Sequence, residues 1–189
     1  MHYDVMDGIF VENKTIPFEI MQKIDKFITK PKDIHLMVKD VYKYIDMYKK
    51  TNPEYIIFHY EATTEVTKII EYIKSLGIKV GLAINPNTSL NCITKYLKDL
   101  DLILVMSVYP GKGGQEFIDV SNKIKYLNDY KKNNILNYKI EVDGGINDKT
   151  IQKIKGADIA VVGSFITSSD NYEMQIKKVR NALWKKDLL

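Results

Sequence analysis

The sequence predicts an α/β fold of the (β/α)₈ TIM-barrel type, with seven of the eight strands recognisable in these 189 residues. Two observations carry that prediction. Short runs of branched apolar residues recur along the chain, and between them lie longer stretches whose apolar residues stand three and four apart. Strands alternating with helices in this way form parallel βαβ units, whose right-handed crossovers put every strand C-terminus on one side.

The strand runs are Tyr3–Met6, Ile34–Val38, Tyr55–Phe58, Lys79–Ile84, Leu102–Met106, Lys139–Val142 and Ile159–Val162. Thr64–Leu76 reads as a helix because Val66, Ile69, Ile70 and Ile73 share one face while Lys68, Glu71 and Lys74 point elsewhere. Asn171–Lys185 reads likewise, through Met174, Ile176, Val179 and Leu183. Cys92 is expected mid-helix in Leu90–Leu97, as buried packing. No linker or low-complexity tract interrupts residues 1–189, which reads as a single barrel domain.

Composition narrows the function classes. Apolar residues make up 45% and charged residues 28%, and no run approaches the roughly 20 apolar residues that span a bilayer. The N-terminus shows neither a basic nor an apolar signal region. The single cysteine, Cys92, suits a reducing compartment, so a cytoplasmic protein without membrane attachment is expected. The net charge of +4 is mild, and no dense basic stripe interleaves with aromatics, which argues against nucleic acid as a partner.

The three histidines and several carboxylates flank the strand runs. His2 and Asp4 to Asp7 belong to the first, Asp33 and His35 to the second, His59 and Glu61 to the third, and Glu141 and Asp143 to the sixth. Imidazoles and carboxylates gathered from several strand ends can converge on one metal ion, and two of the carboxylates can move protons. Gly111-Lys112-Gly113-Gly114, together with Gly144, Gly145, Gly163 and Ser164, offers backbone donors for a phosphate.

The chain resembles the ribulose-phosphate 3-epimerase family along almost its whole length. The resemblance rests on His2-Tyr3-Asp4-Val5-Met6-Asp7-Gly8-Ile9-Phe10-Val11 with Asn13 and Thr15, on His35-Leu36-Met37-Val38, and on His59-Tyr60-Glu61-Ala62. It continues through Gly81 to Thr88, Met106 to Ile118, Val142 to Asn147, and Val162-Gly163-Ser164. It implies an isomerase of carbohydrate metabolism in the pentose phosphate pathway, interconverting D-ribulose 5-phosphate and D-xylulose 5-phosphate through an enediolate. The resemblance makes Asp4 and Asp143 the acid/base pair, and His2, Asp4, His35 and Asp143 the ligands of one divalent ion (Zn²⁺, Fe²⁺, Mn²⁺ or Co²⁺). His35, Met6, Met37 and Met106 would touch the sugar, Gly111, Lys112, Gly113, Gly114, Gly144, Gly145, Gly163 and Ser164 the phosphate, and a homo-oligomer is implied.

Read without the resemblance, the methionines are ordinary core filler. His59 suits a supporting hydrogen-bonding role, Asp7 a loop cap, and Tyr60 and Glu61 loop scaffolding. The sequence departs from the family pattern at Ile9, Tyr109 and Lys112, and it lacks the family's first strand-helix unit. A mis-set start, a truncated non-catalytic homologue that binds sugar phosphate or a partner subunit, and repair of the gap by another chain are the readings of that gap. Epimerisation of another ketose phosphate, such as D-allulose 6-phosphate, is the nearest enzymatic alternative. Orotidine phosphate decarboxylation is discounted because Asp4-Val5-Met6-Asp7 offers no lysine.

Overall fold

The computed structural model describes residues 1–184, so Lys185, the last residue of the expected C-terminal helix, lies outside the described residues. The strands are β1 (His2–Met6), β2 (Asp33–Met37), β3 (Tyr55–His59), β4 (Lys79–Ile84), β5 (Leu102–Met106), β6 (Lys139–Asp143) and β7 (Ile159–Val161). They form one parallel sheet in the order β1-β2-β3-β4-β5-β6-β7. The helices are α1 (Phe18–Asp25), α2 (Val41–Tyr48), α3 (Val66–Ser75), α4 (Ser121–Asn133), α5 (Ser164–Thr167) and α6 (Tyr172–Trp184). Short 3₁₀ turns replace the helix between β4 and β5, at Leu90–Cys92 and Thr94–Asp99, and another, Ile151–Ile154, lies between β6 and β7.

The central strands β3 to β5 are covered on both faces, so apolar residues fill both. The outward residues, such as Val5, Ile34, Ile56, Leu82, Ile103 and Ile140, pack against the helices in a large buried layer. There α3 contributes Val66, Ile69, Ile70 and Ile73, and α2 contributes Val41, Ile45 and Tyr48. Each such side chain stabilises the fold by about 1.5–3 kcal/mol through burial. Asp40 starts α2, its carboxylate accepting the Lys43 N–H at 3.2 Å. Inside the curve of the sheet lies a smaller apolar layer of Tyr55, Ile57, Ala83, Leu102, Leu104, Met106 and Val108, all from β3 to β5 and the segment that follows.

The inner face of β1, β2 and β6 carries a different set: His2, Asp4, Asp33, His35, Glu141 and Asp143. β1 and β6 are not neighbours in the sheet, yet His2 Nδ1 lies 3.3 Å from Glu141 Oε1. The sheet therefore curls until its first and sixth strands face each other across the interior. Among the described residues β1 pairs only with β2 and β7 only with β6, so the barrel is open at that seam. Helices of the outer units keep apolar side chains in solvent: Ile20 and Ile24 on α1, Met174 and Leu183 on α6.

One expectation is corrected. Cys92 is exposed and lies in a 3₁₀ turn, not mid-helix in a buried position. Ile93 and Leu97 take the inward places there, so the apolar demand is met without the thiol. Among the described residues no helix is long and apolar enough to cross a membrane.

Candidate active site and metal centre

The residues that converge do so because a strand repeats every two residues. His2 and Asp4 share the inner face of β1, Asp33 and His35 that of β2, and Glu141 and Asp143 that of β6. The parallel register then sets Asp4 beside His35 and His2 beside Asp33. One ligand atom from each of His2, Asp4, His35 and Asp143 lies within 4.8 Å of all the others.

The hydrogen bonds orient this set. His2 Nδ1 is bonded to the Asp33 carboxylate, leaving Nε2 turned toward Asp4 Oδ1 at 3.3 Å with no hydrogen bond of its own. His35 Nδ1 lies 3.0 Å from the same Asp4 oxygen. Behind it, His35 Nε2 meets His59 Nε2 at 2.8 Å, and His59 Nδ1 reaches Glu61 at 3.2 Å. A buried imidazole nitrogen without a partner, set among carboxylates, is the donor set a divalent cation takes. The four residues fit such an ion.

The carboxylates differ in protonation. Burial disfavours the Asp4 charge, but the adjacent imidazoles of His2 and His35 outweigh it and hold this carboxyl far below the ordinary range. Asp143 is pushed up to about 7, first by burial and then by the charges of Asp4, Glu141 and Asp33, with His2 opposing. Burial also raises Glu141, whose oxygens have no hydrogen-bond partner. Burial lowers His35 to about 4, so it is neutral at physiological pH. His2 goes the other way: burial works against its charge, but Asp33, Asp4 and Glu141 together raise it well above the usual value.

Above the cluster opens a cleft of about 590 Å³, solvent at its mouth included. Asp4, Asp143, Met6, Met37 and Met106 line it together with Gly111 to Gly114, Gly144, Gly145, Gly163 and Ser164. His35, expected to touch the sugar, is wholly buried and is not part of this lining. Gly144 adopts φ 116°, and a Cβ there would stand 2.4 Å from Val108 Cγ2, so only glycine keeps the backbone at the cleft wall.

The loop after β1 is fastened by the residues of its own motif. Asp7 accepts N–H groups from Ile9 and Phe10 at 2.8 Å and from Lys39 at 2.6 Å. Thr15 receives the Met6 N–H on its hydroxyl at 2.7 Å, and the Asn13 amide donates to the Gly111 carbonyl at 2.6 Å. That last bond ties the β1 loop to the glycine-rich loop across the mouth.

The model of the ribulose-phosphate 3 epimerase family matches residues 1–167. The chain belongs to the ribulose-phosphate 3-epimerase family. Among its relatives, a ribulose-phosphate 3-epimerase of Buchnera aphidicola subsp. Baizongia pistaciae is 44% identical over 192 residues, covering 97% of this chain and 83% of the relative. Those of Aquifex aeolicus (38% identical, 97% and 84% covered) and Escherichia coli K12 (36% identical, 98% and 84% covered) are similar along the same extent. At the level of fold alone, the chain is similar to 3-keto-L-gulonate-6-phosphate decarboxylase from Vibrio cholerae, with a TM-score of 0.68 at 10% identity over 96% of this chain and 84% of that one. The epimerase family resemblance read from the motifs thus holds over most of the chain.

Sequence reasoning placed Asp33 and Glu141 at the strand runs but gave neither a role, and it took Glu61 for scaffolding. A signal for the first two was present. Each stands two residues before an expected ligand on the same strand, and so must share its face.

Proposed function

We propose that the protein interconverts D-ribulose 5-phosphate and D-xylulose 5-phosphate by inverting carbon 3. The observation that carries this reading is the pair Asp4 and Asp143, on facing strands of one cleft, with proton affinities displaced in opposite directions. Inversion without a redox cofactor needs a base on one face of the carbon and an acid on the other. Asp4, ionised, takes the C3 proton. Asp143 keeps its proton near neutrality and delivers it to the opposite face.

A divalent ion held by His2, Asp4, His35 and Asp143 would supply Lewis-acid stabilisation of the negative charge that develops when the proton leaves. Met6, Met37 and Met106 pack polarizable thioethers against the planar intermediate. Gly111 to Gly114, Gly144, Gly145, Gly163 and Ser164 face the phosphate with backbone donors, and Lys112 adds a positive charge.

The test is direct observation of xylulose 5-phosphate formed from ribulose 5-phosphate by NMR. Protein stripped with a chelator is compared with protein reloaded with Fe²⁺, Mn²⁺ or Zn²⁺. Product is expected only after reloading. A folded, metal-loaded chain that forms none overturns this reading.

A further inference from the structure

His59 is wholly buried and stands outside the four-residue cluster, yet both of its ring nitrogens are engaged. Nδ1 lies 3.2 Å from Glu61 Oε2 and Nε2 lies 2.8 Å from Nε2 of His35. Glu61 is fixed in turn, its other oxygen accepting the Asn85 N–H at 2.8 Å and the Thr88 hydroxyl. The His59 ring is wedged between those of Phe10 and His35, each with its centroid 5.0 Å away.

With one proton per ring, donor and acceptor counting along this chain leaves two mirror arrangements, because Asp4 and Glu61 both only accept: in one His35 donates from Nδ1 to Asp4 and His59 from Nε2 to His35, and in the other the order is reversed. In the second the His59 proton sits on Nδ1 and points at Glu61. His59 Nε2 is then a lone pair, and its 2.8 Å approach to His35 Nε2 requires the proton of His35 on that nitrogen. His35 Nδ1 is left as a lone pair facing Asp4 Oδ1 at 3.0 Å. Two acceptors at that distance repel unless a cation lies between them.

We propose that Glu61 and His59 are positioning residues, which hold His35 as its Nε2–H tautomer and so present its Nδ1 lone pair, with Asp4, to a divalent cation. The inference rests on the metal-dependent reading above and adds two residues to it. His2 is poised by a shorter route, because Asp33 occupies its Nδ1 and leaves Nε2 to ligate. The two histidines therefore ligate through different nitrogens.

The experiment uses the full chain with ¹⁵N-labelled histidine, free of metal, and reads the tautomer of His35 from long-range ¹H–¹⁵N correlations. Zn²⁺ affinity is measured alongside by competition with a chelator. Wild-type His35 is expected to carry its proton on Nε2. His59→Phe removes the acceptor, and should move the His35 proton toward Nδ1 and weaken Zn²⁺ binding by about 10- to 100-fold. His59→Gln, which keeps a carbonyl acceptor, should restore most of both. If His59→Phe fails to fold, Glu61→Ala is read in the same way.

A wild-type His35 protonated on Nδ1, or a folded His59→Phe or Glu61→Ala protein with unchanged tautomer and unchanged Zn²⁺ affinity, overturns the relay alone. Wild-type protein that binds no Zn²⁺ overturns both the relay and the metal-dependent reading on which it rests.

Discussion

At the scale of single residues, the site is governed by what faces each carboxylate. Burial alone would raise Glu61, but hydrogen bonds from His59, the Asn85 N–H and Thr88 hold it at about 2. A carboxyl depressed in the folded state stabilises that state above its unfolded pKa of about 4.3. The stabilisation disappears as pH falls from there toward 2. In metal-free protein the wild type should therefore exceed Glu61→Gln in stability by on the order of 1–2 kcal/mol near pH 6, a figure reduced for partial exposure. Urea midpoints measured down to about pH 2.5 should show the gap closing. A gap that does not change with pH would mean that Glu61 acts through packing and not through its charge. Strand period pairs His2 with Asp4, but that His35 and Asp143 join them was legible only through the family motif, because a separation of 31 and more residues says nothing of contact. Asp33 and Glu141 were visible at the strand runs, and strand period alone would have put them on the ligands' face. Glu61 was not legible, since its partners Asn85 and Thr88 come from the next βα loop.

At the scale of elements, the strands were easy to read and the helices less so. Each strand run was found to within a residue at either end, because a parallel strand covered on both faces is a dense apolar segment between polar ones. Leu90–Leu97 misled because Ile93, at the junction of two separate 3₁₀ turns, and Leu97, in the second, both face the core at a spacing of four that imitates an α-helix. Two substitutions test how the elements are held. Asp40→Ala removes the carboxylate that caps α2 and should cost about 1 kcal/mol in chemical denaturation. Gly144→Ala forces a Cβ against Val108 in a backbone conformation that side chains resist, and should cost about 1–3 kcal/mol while also depressing activity through the displaced cleft wall. A Gly144→Ala protein as stable and as active as the wild type would remove that wall from the account of the site.

At the scale of the whole molecule, the curled sheet divides its interior into two sectors. The apolar layer of β3 to β5 anchors the structure, while the ionisable sector of β1, β2 and β6 carries the chemistry. Alternation of strands and helices made the architecture legible, and counting gave seven strands. The division of the interior was not legible, since it emerges only when β1 and β6 face each other. Native-state hydrogen exchange should find the slowest amides in β3, β4 and β5, and earlier opening in α1, which contributes no buried side chain. Uniform protection across α1 and the central strands would contradict that division. The central claim is that Asp4 and Asp143 serve opposite faces of one carbon, and the most direct measurement follows the C3 hydrogen of D-ribulose 5-phosphate by NMR in D₂O with metal-loaded protein. Wild type should incorporate deuterium at C3 of both epimers, Asp143→Asn should exchange the ribulose C3 proton without forming xylulose 5-phosphate, and Asp4→Asn should do neither. Equal loss of exchange in both variants with metal still bound, or xylulose 5-phosphate formed by Asp143→Asn at the wild-type rate, would contradict a two-aspartate division of labour.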